Sequence, residues 1–385
     1  MRRLTMRRLS LPIVAAAALA GLSAGPSGPV AQAATAHPAA HVTELTSSAP
    51  VTVVAGGLNE PRGLVWGPQG HLLVSEAGTV PSFCDGTTLW TQNCFGMTGS
   101  ITDISSGTPV RIRTGLASLL NGGEMIGPDS LVYTGGHLYT VETASPQFVT
   151  PDVPTDLSTM LKAQYGRVLD VTDADAKVLA NPGDTDNQWA AANGYEPDAN
   201  PYALASNPNG GFYLVDGGTN TLDSVDPSGN VHVLSHIPST PAGSDAVPTC
   251  LDVASDGAVY VGELTGVGND GTAANVYRYA PGNHTLKVWE SGFSAINGCG
   301  FGANGDFYVT EYDTTGFLPS GDPDGVVIQI NHHTGTRTTL GEGRLFAPAG
   351  FLAGPDGSVY VADHTVLWPS GTSGDSTAGK VVRIG

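Results

Sequence analysis

From Val51 onward the chain alternates apolar and polar residues in short runs, split by Gly, Asn, Asp and Pro. A period of two with β-branched and aromatic residues predicts half-buried strands rather than helices. One phrase recurs six times and always closes on an acid: "HLLVSE" at Glu76, "HLYTVE" at Glu142, "GFYLVD" at Asp216, "AVYVGE" at Glu263, "DFYVTE" at Glu311 and "SVYVAD" at Asp363. Ahead of each stands a glycine-containing turn. Ahead of that stands another apolar run, opened by Pro61, Pro128, Pro201, Pro248, Ile296 or Pro348. The interval from opener to acid is the same in five units and one residue shorter in the second.

A second hairpin follows each phrase, as in "GRVLDVTDADAKVLA" and "NTLDSVDPSGNVHVLS". Four antiparallel strands per unit, repeated around an axis, make a β-propeller. The sixth unit stops after its third strand, "GKVVRIG", and "VTVVAGGL" (residues 51–58) stands ready as its missing outer strand. The chain is therefore expected to be all-β, a six-bladed β-propeller of four-stranded blades over residues 51–385. Closure by the N-terminal strand would remove two exposed sheet edges.

In this layout all six acids lie where the second strand leaves its blade, on one face of the ring. Two roles fit that position. A carboxylate there can accept hydrogen bonds from backbone N–H groups of the adjoining loops, or the six can form a ring of cation ligands.

The residue after each opener breaks the repeat: Arg62, Asp129, Tyr202, Thr249, Asn297 and Ala349. These residues begin the innermost strands, so they should surround the channel mouth on the carboxylate face. Arg62, Asp129, Tyr202, Thr249 and Asn297 are the candidate binding residues, with an Arg62–Asp129 pair between blades as the plainer alternative. Insertions at residues 77–98, 143–165 and 181–202 crowd the same face, and their aromatics Trp90, Trp189 and Tyr195 either contact a ligand or pin the loops. Cys84 and Cys94 share one insertion and are expected to bridge. Cys250 and Cys299 begin inner strands of adjacent blades, either as a bridge or as two buried thiols.

Residues 1–33 add four arginines, the apolar run "LPIVAAAALAGL" and an "AQA" cleavage site, the pattern of an export signal. Residues 34–50 lack periodicity and are expected to be a flexible leader. Without residues 1–33 the 16 basic residues fall by four to 12, against 35 acidic, a formal charge of −23. That field repels nucleic acid and anionic membranes, and no run is long enough for a membrane span. A secreted monomer with a small-molecule, cation or protein partner is the resulting expectation.

Recognisable chemistry is sparse. Most histidines fall on hairpin turns or outer strands, with only His364 on the loop-rich face, which argues against a three-histidine zinc site. No nucleophile elbow, P-loop, zinc-protease helix or intact EF-hand loop is present, and a quinone-dependent dehydrogenase would need cationic cofactor contacts that the chain lacks. No catalytic residue is assigned. One divalent ion, calcium, over the channel would take Glu76, Asp129, Asn297 and Asp363 as ligands.

"GLNEPRGLVWGPQGHLLVSEAG", the Cys84/Cys94 loop followed by "TGSIT", "YGRVLDV", "EPDANPYAL" and "DAVPTCLDVASDGAVYVGELTG" together resemble the ScyD/ScyE family of exported β-propellers, of NHL type. The resemblance runs from about Val51 to Gly385, Cys250 and Cys299 departing from its usual pattern. It implies a propeller fold and export, and it carries over no catalytic residue. Two functions follow: a binding or assembly module working through the loop-rich face around the channel, or a calcium-assisted, lactonase-like hydrolase at the channel mouth.

Overall fold

The computed structural model describes residues 44–85, 93–265, 271–316, 323–366 and 379–385; the expected signal peptide and Trp90 lie outside them. Six antiparallel sheets are arranged in sequence order. Blade 1 takes its four main strands from Pro61–Trp66, Leu72–Glu76, Asn93–Asp103 and Val110–Asn121. Blade 2 follows from Pro128 to Ala180, blade 3 from Pro201 to His236 and blade 4 from Pro248 to Phe293. Blade 5 runs from Ile296 to Phe346. Blade 6 consists of Phe351–Ala353, Val359–Asp363, Gly379–Ile384 and, outermost, Val51–Leu58.

The ring closes as the sequence pattern predicts. Val51 pairs with Ile384, and the register continues to Leu58 opposite Gly379. The lead-in does more than expected. Glu44–Thr46, within the stretch read as a flexible leader, adds a parallel strand to blade 5 against Arg337–Thr339. One N-terminal segment thus ties together blades 5 and 6.

Between successive blades lie six apolar layers. Leu73, Ile101, Leu131 and Leu169 fill the space between blades 1 and 2, for example, and Tyr213, Leu222, Val259 and Tyr279 that between blades 3 and 4. Alternation along each strand places one set of side chains in each neighbouring layer. The insertion after the second strand of blade 2 adds its own apolar cluster, Val149, Val153, Leu161 and Tyr165 against Phe95 and Leu119 of blade 1. Helix α1 (Thr155–Gln164) buries Leu161, while helix α2 (Pro182–Asn193) opens on an Asn181 side chain that accepts from the Asp184 N–H.

Both cysteine pairs are bridged. The Cys250–Cys299 bridge joins the inner strands of blades 4 and 5. Gly262 stands opposite Cys250 in the register, and a Cβ there would come within 2.6 Å of the Cys250 sulfur. The glycine makes room for the bridge.

Candidate functional site

The opener of each of the first five blades pairs directly with its acid: Pro61 with Glu76, Pro128 with Glu142, Pro201 with Asp216, Pro248 with Glu263 and Ile296 with Glu311. That pairing explains the constant interval. Immediately beyond it the register slips, so that the next residue has no opposite number. Tyr202, Thr249 and Asn297 are single bulge residues, and Arg62 lies in a wider bulge. A bulge re-aims a side chain. Here it turns the least repetitive positions toward the axis.

Behind each opener is a repeated clamp. The N–H after the acid donates to the carbonyl before the opener in five blades: Ala77 to Glu60, Thr143 to Gly127, Gly217 to Asn200, Leu264 to Val247 and Tyr312 to Ala295. Glu60, Val247, Ala295 and Ala347, each just ahead of an opener, have φ between +33° and +52°. L-residues resist that conformation, so the turn needs fastening. The acids supply it. Glu76 accepts from the Asn59 N–H, Asp216 from Asn200, Gly218 and Thr219, Glu311 from Ser294 and Asp363 from Phe346. Glu263 accepts instead from Asn275 in the third strand.

Glu142 is the exception. It is wholly buried, and neither carboxyl oxygen has a hydrogen-bond partner. In blade 2 the lead-in to the opener is held elsewhere, since Glu124–Ile126 pairs with Leu119–Asn121 of blade 1. Burial, with Asp129 nearby, holds Glu142 well above the usual carboxylate range, as the neutral acid.

The expected cation ligands are not brought together. Glu76 bonds to Asn59 N, Ser100, Thr102 and Arg111, and Asp363 to Phe346 N, His364 and Lys380, one strand out from the axis. Only Asp129 and Asn297 reach the channel. Among the described residues no group of three or more His, Cys, Asp or Glu side chains is placed to hold a metal ion. The physical reason is the clamp: a carboxylate that fastens its own lead-in faces its own blade.

The five candidate binding residues do converge, but they close the mouth rather than line an open one. Arg62, Tyr202, Thr249 and Asn297 are all buried. The Tyr202 hydroxyl donates to Asn297 Oδ1 at 3.1 Å, and Thr249 Oγ1 donates to the Ile296 carbonyl at 2.6 Å. Arg62 donates to the Met125 carbonyl at 2.6 Å and contacts Glu124 and Glu60 at 3.3 and 3.5 Å. Its ion pairs thus go to Glu60 and Glu124, not to Asp129. Those two partners were missed from sequence; their only signal is an acid shortly ahead of an opener. Burial pushes Glu124 and Asp129 up to about 7, although Arg62 opposes the shift in both and the Tyr202 hydroxyl does so beside Asp129.

Beneath this lid the central channel encloses about 630 Å³. Its walls are the inner strands, with Asp129, Thr249 and Asn297 at the closed end and Ser206, Pro208 and Ser255 at the other. Those last three are exposed. The channel therefore opens on the hairpin-turn face, opposite to the face expected.

A second acidic group lies under α2. Asp186 of the helix, Asp216 and Asp223 are fully buried, and Asp186 has no donor to either oxygen. Burial and mutual repulsion raise Asp186 and Asp223 well above the carboxylate range, and burial raises Asp216 as well. Trp189 and Tyr195 stack on each other and on His236, with the Tyr195 and His236 ring centres 4.1 Å apart. These aromatics pin the insertion to blade 3. The turn histidines His71, His137 and His332 each pair with an aspartate, Asp103, Asp170 and Asp306, away from the channel.

No protein-family model matches the chain, and no curated protein matches it by sequence. Solved structures do. A calcium-binding protein, regucalcin, from Agrobacterium tumefaciens is 12% identical with a TM-score of 0.50, covering 89% of this chain and 95% of its own. An auxiliary nutrient binding protein from Bacteroides thetaiotaomicron is 11% identical with a TM-score of 0.50, covering 87% and 76%. Virginiamycin B lyase from Staphylococcus aureus is 11% identical with a TM-score of 0.47, covering 87% and 99%. At such identities the likeness is one of fold.

Proposed function

We propose that this chain is an exported binding module of the ScyD/ScyE type, acting as a monomer, whose small-molecule ligand occupies the central channel from the hairpin-turn face. The observation that supports it is the channel itself, about 630 Å³, blind at the Tyr202–Asn297 lid and open at the other end. That volume falls within the range of small-ligand sites, and its closed end carries Asp129, Thr249 and Asn297. Asp129, Thr249 and Asn297 form the end wall, with Tyr202 bonded to Asn297 behind it and Arg62 held apart by Glu60, Glu124 and the Met125 carbonyl. The crowded loop face keeps a supporting role, bracing blades 1 to 3.

A thermal-shift screen of small molecules on the chain lacking residues 1–33 tests this, repeated on Val253→Trp, which narrows the channel. Hits that disappear in the variant support the reading. Hits that persist would move the site to the loop face. A calcium-assisted hydrolase would require Glu76 and Asp363 to leave their present partners. A calcium and EDTA series on the same protein separates the two, since a melting temperature that falls with chelator would favour the metal.

A further inference from the structure

The channel lining has a charge bias that narrows the ligand. Among the described lining residues are two carboxyl groups, Asp129 and Asp252, and no Lys, Arg or His. Asp129 stands at the closed end. Asp252 lies three residues beyond Thr249 on the inner strand of blade 4, about 10 Å nearer the opening at the usual rise of a strand. Its oxygens accept from the Val253 and Phe301 N–H groups, at 2.7 and 2.8 Å, which fixes the carboxylate without neutralising it.

The cation that acts on Asp129 is already engaged. Arg62 bonds to Glu60, Glu124 and the Met125 carbonyl, and Asp129 is a third acid near the one guanidinium. The surplus falls on Asp129, which is only half-buried and reaches the channel. Between the two acids the walls mix polar and apolar surface, Ser130 and the inner-strand glycines beside Val65 and Phe351. A confined channel with excess negative charge at its closed end favours a cationic head there.

Resting on the channel reading above, we infer that the ligand is an organic cation, bearing an ammonium or guanidinium, whose charged head pairs with Asp129 at the closed end. Asp129 is faced by Arg62, Glu124, Glu142 and Tyr202. Its raised value supports the match, since the carboxyl gains its full charge only as the ligand or higher pH supplies the reason.

Calorimetric titration at pH 8 with n-hexylamine, n-hexanol and hexanoate tests the inference, with wild type, Asp129→Asn and Val253→Trp. The expected result is binding of the ammonium at least tenfold tighter than the alcohol, with hexanoate weakest. Asp129→Asn should bring the amine to the level of the alcohol, and wild-type affinity for the amine should fall as pH drops below 7. Equal binding of amine and alcohol, lost in Val253→Trp, would overturn the cation and leave the channel. Amine binding that Val253→Trp does not change would overturn the channel and the inference with it. No amine binding to wild type would overturn the inference alone. Unfolding curves at pH 8 check that both variants are folded.

Discussion

The Tyr202 hydroxyl of blade 3 reaches past blade 4 to donate to Asn297 Oδ1 of blade 5 at 3.1 Å. This single bond spans the end of the channel. Tyr202→Phe removes the donor and leaves a buried amide oxygen, a cost of about 1 kcal/mol. It also removes a group that lowers the Asp129 pKa, so Asp129 should titrate higher. Urea unfolding and a carboxyl NMR titration measure the two effects, and an unmoved Asp129 would contradict the contact.

The strand-end acids predict a matched contrast. Glu263→Met strands the Asn275 N–H and should cost about 1–3 kcal/mol. Glu142→Met has no donor to strand, and it removes a buried, unpartnered carboxyl. Its stability should equal or exceed wild type at neutral pH. Equal losses in the two variants would mean that Glu142 has a partner in solution.

Buried acids also set the pH dependence. Glu124, Asp129, Asp198 and Glu263 move from ordinary carboxylate values up to about 7, and Asp186, Asp216 and Asp223 also move up. The unfolded chain releases these protons near pH 4 while the folded chain keeps them. Stability should therefore fall as pH rises from about 4 through 7. Asp186→Asn supplies a permanent donor beside Asp216, so its stability curve should be flatter and its melting temperature higher than wild type at pH 8. Parallel curves for the two proteins would show that the α2 cluster does not titrate in this window.

Ring closure is tested by truncation. A chain beginning at Ser47 loses the strand on blade 5 yet keeps Val51–Leu58, and should fold with a lower melting temperature. A chain beginning at Asn59 exposes the edge of Gly379–Ile384 and should aggregate. Soluble, cooperative folding of the shorter chain would show that closure is dispensable.

The two bridges should differ in worth. Cys250–Cys299 spans 49 residues and Cys84–Cys94 spans 10. Loop-closure entropy assigns them about 4 and about 3 kcal/mol respectively. Paired serine substitutions, compared by denaturant midpoint, should therefore place the inter-blade bridge first. The opposite order would indicate that native strain at Gly262 outweighs the entropy.

Local pattern determined the architecture. Strand alternation, glycine turns and the recurring acid are properties of a few adjacent residues, and a repeat states them six times, so blade number and closure were legible from Val51 to Gly385. The convergence of Arg62, Tyr202, Thr249 and Asn297 was legible too, because each breaks the repeat at the same position. What those side chains do once together was not. Whether the mouth is open depends on a bond between residues 95 positions apart, and which end of the channel is closed depends on how far Tyr202 reaches. Glu142 carries the same phrase as its five counterparts, yet Glu124–Ile126 pairing with blade 1 withholds its partner. Asp186 looks like any helix aspartate until α2 lays it on Asp216. Sequence specifies each blade through short-range periodicity. Only the closed ring decides which polar groups find donors, because satisfaction of a buried group is set by its neighbours in space.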